Sequence, residues 1–210
     1  ITGAAGGIGY ASAQALLKAG AAVMLVGRSE PRLDELLRQL QQAKGANASR
    51  ATFLVADLMR TEDLNTLCAQ AAAWGCNVVV HNAGLPSFGR LQDETPAQMQ
   101  AVMQTNLIAP MLLTRCLLPH LLAQRAAQVI CVGSALGAIG LPGYSVYSAS
   151  KFGLRGFAQA LRRELTETPV KVQYLGPRAT RTAFNSDAAE AYNRATGTAS
   201  DSPEQVAAEL

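Results

Sequence analysis

The sequence has no run of five or more like charges, no C-x-x-C pair, no long apolar stretch, no short-period repeat and no low-complexity linker. Each absence closes off a class of function. Its 18 basic and 15 acidic residues leave a formal charge of +3 without a basic block, so nucleic acid is not the expected partner. The four cysteines, Cys68, Cys76, Cys116 and Cys131, are scattered, with no histidine nearby at ligand spacing, so no metal site is expected. They read as small core residues of a reduced, cytoplasmic protein. No apolar stretch approaches the roughly 20 residues of a membrane helix, and no signal peptide is visible. The chain opens at Ile1 without Met and stops at Leu210 inside what reads as a new helix after Ser202-Pro203, so both ends are expected to be truncated.

What is present suits a single globular domain over residues 1–210. With 49% hydrophobic and 16% charged residues, the chain can bury enough apolar surface to offset ordering. Short apolar runs alternate with longer amphipathic stretches, which argues for βαβ units around a parallel sheet. The strand candidates are Ala22–Gly27, Ala51–Ala56, Asn77–His81, Gln128–Gly133 and Val170–Leu175, with helices near 8–19, 30–43, 61–74, 95–118 and 147–166. Leu33, Leu36, Leu37 and Leu40 recur at helical spacing and form a core-facing stripe. Only Ile1 and Thr2 remain of a first strand. The Ala-, Thr-, Asn- and Ser-rich segment from Thr182 to Ser202 is expected to form a mobile lid.

The first chemical signal is Thr2-Gly3-Ala4-Ala5-Gly6-Gly7-Ile8-Gly9, where that first strand gives way to a helix. Glycines allow a sharp turn and close approach of a pyrophosphate, and the helix start offers unpaired N–H groups. A purely structural helix-capping loop is the competing reading. The next strand ends in Gly27-Arg28-Ser29 with no acid, where a carboxylate would accept from the ribose of NAD(H). Arg28 offers a charged donor fork and Ser29 a hydroxyl for a 2′-phosphate, which favours NADP(H); the alternative for Arg28 is a solvated surface arginine.

The second signal is Tyr147-Ser148-Ala149-Ser150-Lys151, a phenol and an ammonium four residues apart on one helix face. A carbonyl that accepts hydride needs a proton, and a free phenol with a pKa of about 10 is a poor base near neutrality, so a nearby ammonium is expected to lower that pKa. Ser134 stands thirteen residues before Tyr147 at the end of a strand, either to bond a substrate oxygen or to make a turn. Asn106 interrupts an apolar helix stripe and is either a structural hydrogen-bonder or part of a polar relay.

Together these motifs resemble the short-chain dehydrogenase/reductase family from Thr2 to about Thr182. The resemblance implies a doubly wound parallel sheet, the Rossmann fold, in three α/β/α layers. It implies hydride transfer between NADP(H) and an alcohol or carbonyl through Asn106, Ser134, Tyr147 and Lys151, with Asn106 holding a water that links Lys151 to solvent. Cofactor contacts are then implied at Gly3, Gly7, Ile8, Gly9, Arg28, Ser29, Asp57, Leu58, Asn82, Ala83, Gly84, Tyr147, Lys151, Pro177 and Thr182. For Asp57, a helix cap ahead of Thr61 is the alternative. His81 replaces the first Asn of the family's N-N-A-G element and reads as a structural hydrogen-bonder. Arg178 replaces the family's usual glycine after Pro177, and either lines the pocket to favour an anionic substrate or a phosphate, or points outward. Leu85, Leu136, Tyr144, Arg178 and Phe184 are the substrate-pocket candidates. The implied assembly is a homodimer or homotetramer acting on a small molecule, with no membrane partner. The alternative function is an NADP(H)-binding redox sensor that turns nothing over.

Overall fold

A computed structural model describes residues 1–43 and 48–210 of the chain. The main elements run α1 Gly7–Lys18, β1 Val23–Gly27, α2 Glu30–Gln42, β2 Ala51–Val55, α3 Thr61–Ala73, β3 Val78–His81, α4 Pro96–Met103, α5 Ala109–Leu122, β4 Ala127–Val132, α6 Ser145–Glu164 and β5 Val170–Leu175. Beyond these lie β6 Ala179–Thr180, α7 Asp187–Ala195, β7 Ser200–Asp201 and α8 Pro203–Ala207.

Strands β1 and β2 pair in parallel, as do β3, β4 and β5. Ile1 and Thr2 join the two groups: Thr2 bridges to Val26, and its N–H donates to Val80 O at 3.0 Å. The order across the sheet is therefore β2, β1, the Ile1–Thr2 backbone, β3, β4, β5, a doubly wound arrangement.

Alternation along the strands sorts the side chains onto two faces. Val26, Val79, Val129 and Cys131 pack with Leu64 and Leu67 of α3, Leu113 and Leu117 of α5, and Leu154 of α6. Val23 and Leu25 pack on the opposite face with Leu17 of α1 and the Leu33, Leu36 and Leu40 stripe of α2. Three layers result, with helices on both sides of the sheet. Strand and helix bounds fall within two residues of the expected ones, except around α4 and α5.

There the expected 95–118 helix starts at Pro96, behind a capping box in which Thr95 and Gln98 bond reciprocally. It widens into a π-turn at Gln104–Ile108 and then continues as α5 to Leu122. This 27-residue run, Pro96–Leu122, is long and apolar enough to cross a membrane by length and composition, which corrects the expectation that none exists. Gln104, Thr105 and Asn106 break the apolar run in the sequence, whereas an averaged window does not register the break. Of its most apolar stretch 44% is buried in the fold.

The expectation of four reduced cysteines is also corrected. Cys68 of α3 and Cys116 of α5 form a disulfide, with Cα atoms 6.2 Å apart, while Cys76 and Cys131 are free. Their separation of 48 residues carries no local signal; packing of α3 beside α5 creates the pair. The segment expected to be a mobile lid carries α7, capped where Ala189 N donates to Ser186 Oγ, and β7, which pairs with β6 just before the segment.

His81 ends β3, buried, with Nε2 2.7 Å from Thr114 Oγ1 of α5. Burial lowers its pKa to about 3. The folded imidazole stays neutral, while the unfolded one takes up a proton near pH 6.5, so its contribution is full above pH 6.5 and is lost as pH falls toward 3. The expected outcome is a stability loss of about 2 kcal/mol between pH 6.5 and 5 that His81→Asn lacks. Urea unfolding of both proteins across that range measures it.

Candidate active site

Parallel strands direct their carboxyl ends to one edge of the sheet, and a crevice lies along that edge. Gly3, Val26, Gly27, Arg28, Ala56, Asp57, Leu58, Ala83, Gly84, Leu85 and Thr105 line it. Its floor is the glycine-rich turn. Gly3 adopts φ +63°, and a Cβ there would lie 2.6 Å from Ala83 Cα. A Cβ on Gly9 would meet Gly3 O, and Ala4 Cα at 2.8 Å, so this backbone packing excludes any side chain at that position.

Thr2 and Asn82 stitch the turn to the end of β3. Thr2 Oγ1 accepts from Asn82 N and Ala83 N, both at 3.1 Å, while Asn82 Nδ2 donates to Thr2 O and Gly3 O. Asn82 thus shapes the cradle without lining the crevice. Arg28 stands exposed at the crevice wall, and Ser29 is the N-cap of α2 with its hydroxyl free of any capping bond. Asp57 Oδ1 accepts from Met59 N at 3.0 Å, a tight local turn beside the crevice that leaves the amides of α3 uncapped by it.

The four candidate catalytic residues converge beyond Gly84. A Cβ on Gly84 would lie 3.5 Å from Asn106 Oδ1, 3.7 Å from Phe184 and 3.8 Å from Lys151 Nζ. Asn106 is wholly buried in the π-turn. Its Oδ1 accepts from Leu85 N at 2.7 Å, and its Nδ2 donates to Leu85 O at 3.0 Å and Ser150 Oγ at 3.1 Å. Ser150 Oγ in turn donates to Tyr147 O at 2.7 Å. Asn106 therefore ties the loop after β3 to the first turn of α6, and both its amide hydrogens are engaged by protein. The extra residue of the π-turn swings the amide to that point.

Helix α6 begins at Ser145, two residues earlier than expected, which sets Tyr147 in its first turn and Lys151 one turn on. Lys151 is buried, donates to Val132 O at 3.1 Å, and holds Nζ 5.7 Å from the Tyr147 ring centroid. Burial lowers its pKa to about 8, with Cys131 opposing. Burial also pushes the Tyr147 phenol above its ordinary value, against the pull of the Ser134 hydroxyl bond. This reverses the expected direction. Desolvation of the phenol inside the fold is the largest influence, and the neighbouring Tyr174 and Tyr144 phenols act in the same direction. At neutral pH Tyr147 holds its proton, the state of a general acid.

Aromatic rings enclose this point. Tyr147 meets Phe184 edge-on with centroids 6.1 Å apart and Tyr144 at 6.3 Å; Phe88 packs on Tyr144 at 4.8 Å and on Tyr192 of α7 at 5.4 Å. Leu136 lies in the turn after Ser134 and donates its N–H to Ser134 Oγ at 3.1 Å. Thr182 sits over the start of α1, where a Cβ on Gly7 would lie 3.1 Å from Thr182 Cβ, and Ile8 packs on Val80, Ile130 and Val132 of the sheet. Pro177 O accepts from Ala135 N at 2.8 Å. Arg178 departs from its pocket assignment: its Nε donates to Asp201 Oδ2 at 3.2 Å, Nη2 pairs with Oδ1, and the side chain is 63% exposed. The β6–β7 pair brings that carboxylate beside it from 23 residues away. Ser150, Tyr174 and Tyr192 stand at the site but were absent from the sequence-based set.

The fold and this strand-end crevice define a doubly wound α/β protein with a glycine-cradled site. The chain belongs to the short-chain dehydrogenase/reductase family: the family described as short chain dehydrogenase matches residues 1–193. Among curated relatives, ketoacyl reductase HetN of Nostoc is 34% identical over 84% of this chain and 61% of its own. Dehydrogenase/reductase SDR family member 7B of Xenopus laevis is 32% identical over 84% and 56%. The chain thus spans little more than half the length of these relatives. A solved gluconate 5-dehydrogenase-like protein of Beutenbergia cavernae, with bound NADP, superposes with a TM-score of 0.89 at 27% identity, over 100% of this chain and 86% of its own. Actinorhodin polyketide ketoreductase with NADPH gives 0.88 at 27% identity, over 100% and 86%.

Proposed function

We propose that this chain is an NADP(H)-dependent oxidoreductase that reduces a small-molecule carbonyl to an alcohol. One observation carries the reading: Asn106, Ser134, Tyr147 and Lys151 gather at one end of a glycine-cradled crevice whose other end bears Arg28 and no carboxylate at the end of β1. The cradle fits a dinucleotide because its backbone approaches too closely for side chains at Gly3 and Gly9, and because α1 starts beside it. Arg28 and Ser29 would hold a 2′-phosphate, Asp57 and Leu58 would border the adenine, and Pro177 and Thr182 would close over the nicotinamide end. The bound cofactor supplies the hydride.

The residues do the rest. The Ser134 hydroxyl accepts from Leu136 N and bonds the Tyr147 phenol, and its proton would turn to the substrate oxygen. The Tyr147 phenol gives its proton to that oxygen as negative charge develops there. The Lys151 ammonium, fixed by Val132 O, stabilises the phenolate left behind. Asn106 fixes Leu85 and the Tyr147 turn in register. The NADP- and NADPH-bound neighbours support the cofactor choice. Assembly as a homodimer or homotetramer belongs to the same proposal; exposed Met111 and Leu112 on α5 and Phe152 on α6 suit a copy-to-copy face.

The test is NADPH oxidation with a panel of ketones and aldehydes, followed by loss of cofactor fluorescence. Turnover with at least one carbonyl, faster with NADPH than NADH, is the expected result. Tight NADPH binding with no turnover on any carbonyl would overturn the proposal.

A further inference from the structure

Strand β4 ends at Val132, and the next three residues continue toward the site. Gly133 N donates to Leu175 O at 2.7 Å and Ala135 N to Pro177 O at 2.8 Å, both on the β5 side. In a parallel ladder the residue between them turns its N–H and C=O to the opposite edge. On that edge β3 has ended at His81, which pairs with Cys131, so Ser134 has no strand partner there. A side chain of β5 fills the place. Tyr174 Oη accepts from Ser134 N at 3.2 Å and donates to Ser134 O at 3.1 Å. Ser134 O has a second donor in Gly137 N at 2.9 Å, whereas among the described residues Ser134 N bonds Tyr174 alone.

To reach this point the Tyr174 ring crosses the backbone of β4. A Cβ on Gly133 would overlap the ring, and one on Gly137 would meet the phenol oxygen and, at 2.8 Å, Lys151 O. Two glycines thus leave room for one tyrosine, wedged between the end of β4 and the helix that carries Lys151. Ser134 is fully extended, φ −163° and ψ 158°, a conformation any residue adopts, so glycine-like freedom at Ser134 is not what sets its direction.

We propose that Tyr174 is a positioning residue for Ser134: its hydroxyl grips both backbone groups of Ser134 and so fixes the direction in which the Ser134 side chain meets the substrate oxygen and Tyr147. The clamp rests on the reading of Ser134 and Tyr147 as the polar partners of a carbonyl. Without it, the Ser134 amide loses its bond and the turn can rotate, carrying the hydroxyl away by a fraction of an ångström or more. Displacement on the order of 1 Å at a reacting centre costs about 100-fold in rate.

The experiment compares the parent with Tyr174→Phe, Ser134→Ala and the double variant in NADPH-dependent carbonyl reduction. Phenylalanine keeps the ring over Gly133 and removes only the hydroxyl. Tyr174→Phe is expected to lower kcat by roughly 10- to 100-fold, to leave the Kd for NADPH within about twofold, and to add less than about threefold when Ser134 is already Ala. That loss of additivity is what a merely structural role would not produce. A kcat within about twofold of the parent, or an equal loss in both backgrounds, overturns the clamp. Gly133→Ala keeps the hydroxyl but pushes the ring aside, and must give the same loss with the same dependence on Ser134; an unchanged kcat in it overturns the proposal even where Tyr174→Phe folds poorly. If the parent turns over and Ser134→Ala impairs it, a normal Tyr174→Phe defeats the clamp alone. A parent without turnover overturns both readings.

Discussion

Tyr147→Phe is expected to lower the rate of carbonyl reduction by about 10²- to 10⁴-fold while NADPH still binds, because it deletes the proposed proton donor and keeps the ring. The ring has work of its own: it packs against Phe184 and Tyr144, so its hydrophobic contacts survive the change. Desolvation makes the phenol hold its proton more tightly, with the Ser134 hydroxyl bond the opposing influence. Stopped-flow and steady-state rates, with fluorescence titration of NADPH, separate loss of chemistry from loss of binding. A variant with more than a tenth of the parental kcat would remove Tyr147 from the role of acid, since a general acid contributes at least about 100-fold.

Arg28→Asp is expected to invert the cofactor preference. Arg28 lies exposed along the crevice wall directly after β1, beside the uncapped hydroxyl of Ser29. A charge-assisted bond to a 2′-phosphate contributes about 1.5–3 kcal/mol, and the substituted carboxylate adds repulsion to what is lost. Consequently kcat/KM with NADPH is expected to fall on the order of 10²-fold, whereas NADH, whose ribose hydroxyls a carboxylate can accept from, should improve. The parental preference for NADPH should also shrink as ionic strength rises, because the arginine is exposed. Equal efficiency of the variant with both cofactors before and after would assign the phosphate contact elsewhere.

Much of the fold was legible because its strands are short, apolar and separated by amphipathic stretches of helical length. Val23 and Leu25 facing one layer, Met24 and Val26 the other, follow from nothing more than strand alternation. The candidate tetrad came from spacing together with the family resemblance, and Tyr147 and Lys151 do lie one turn apart on α6. The π-turn at Asn106 was not, since one inserted residue leaves the apolar stripe almost unchanged while redirecting the amide. Three features depend on residues distant in sequence and so lacked any local signal. Cys68 finds Cys116 across two packed helices, Arg178 finds Asp201 across the β6–β7 pair, and Tyr174 finds Ser134 across a strand. Tyr174 also reads as an ordinary aromatic strand residue, and only the glycines opposite reveal its reach. The direction of the Tyr147 shift was misjudged for a related reason. A Tyr-x-x-x-Lys spacing reports proximity of an ammonium, whereas the desolvation of both groups is a property of the whole fold.

The most direct test of hydride transfer uses NADPH carrying deuterium at the transferable C4 position, a mixture of ketones and aldehydes, and mass spectrometry of the alcohols formed. The account predicts an alcohol bearing one deuterium at the former carbonyl carbon, formed by the parent and reduced at least about 100-fold with Tyr147→Phe. Retained deuterium on a tightly bound cofactor, with no labelled alcohol from any carbonyl, would contradict it and mark the chain as a nucleotide sensor.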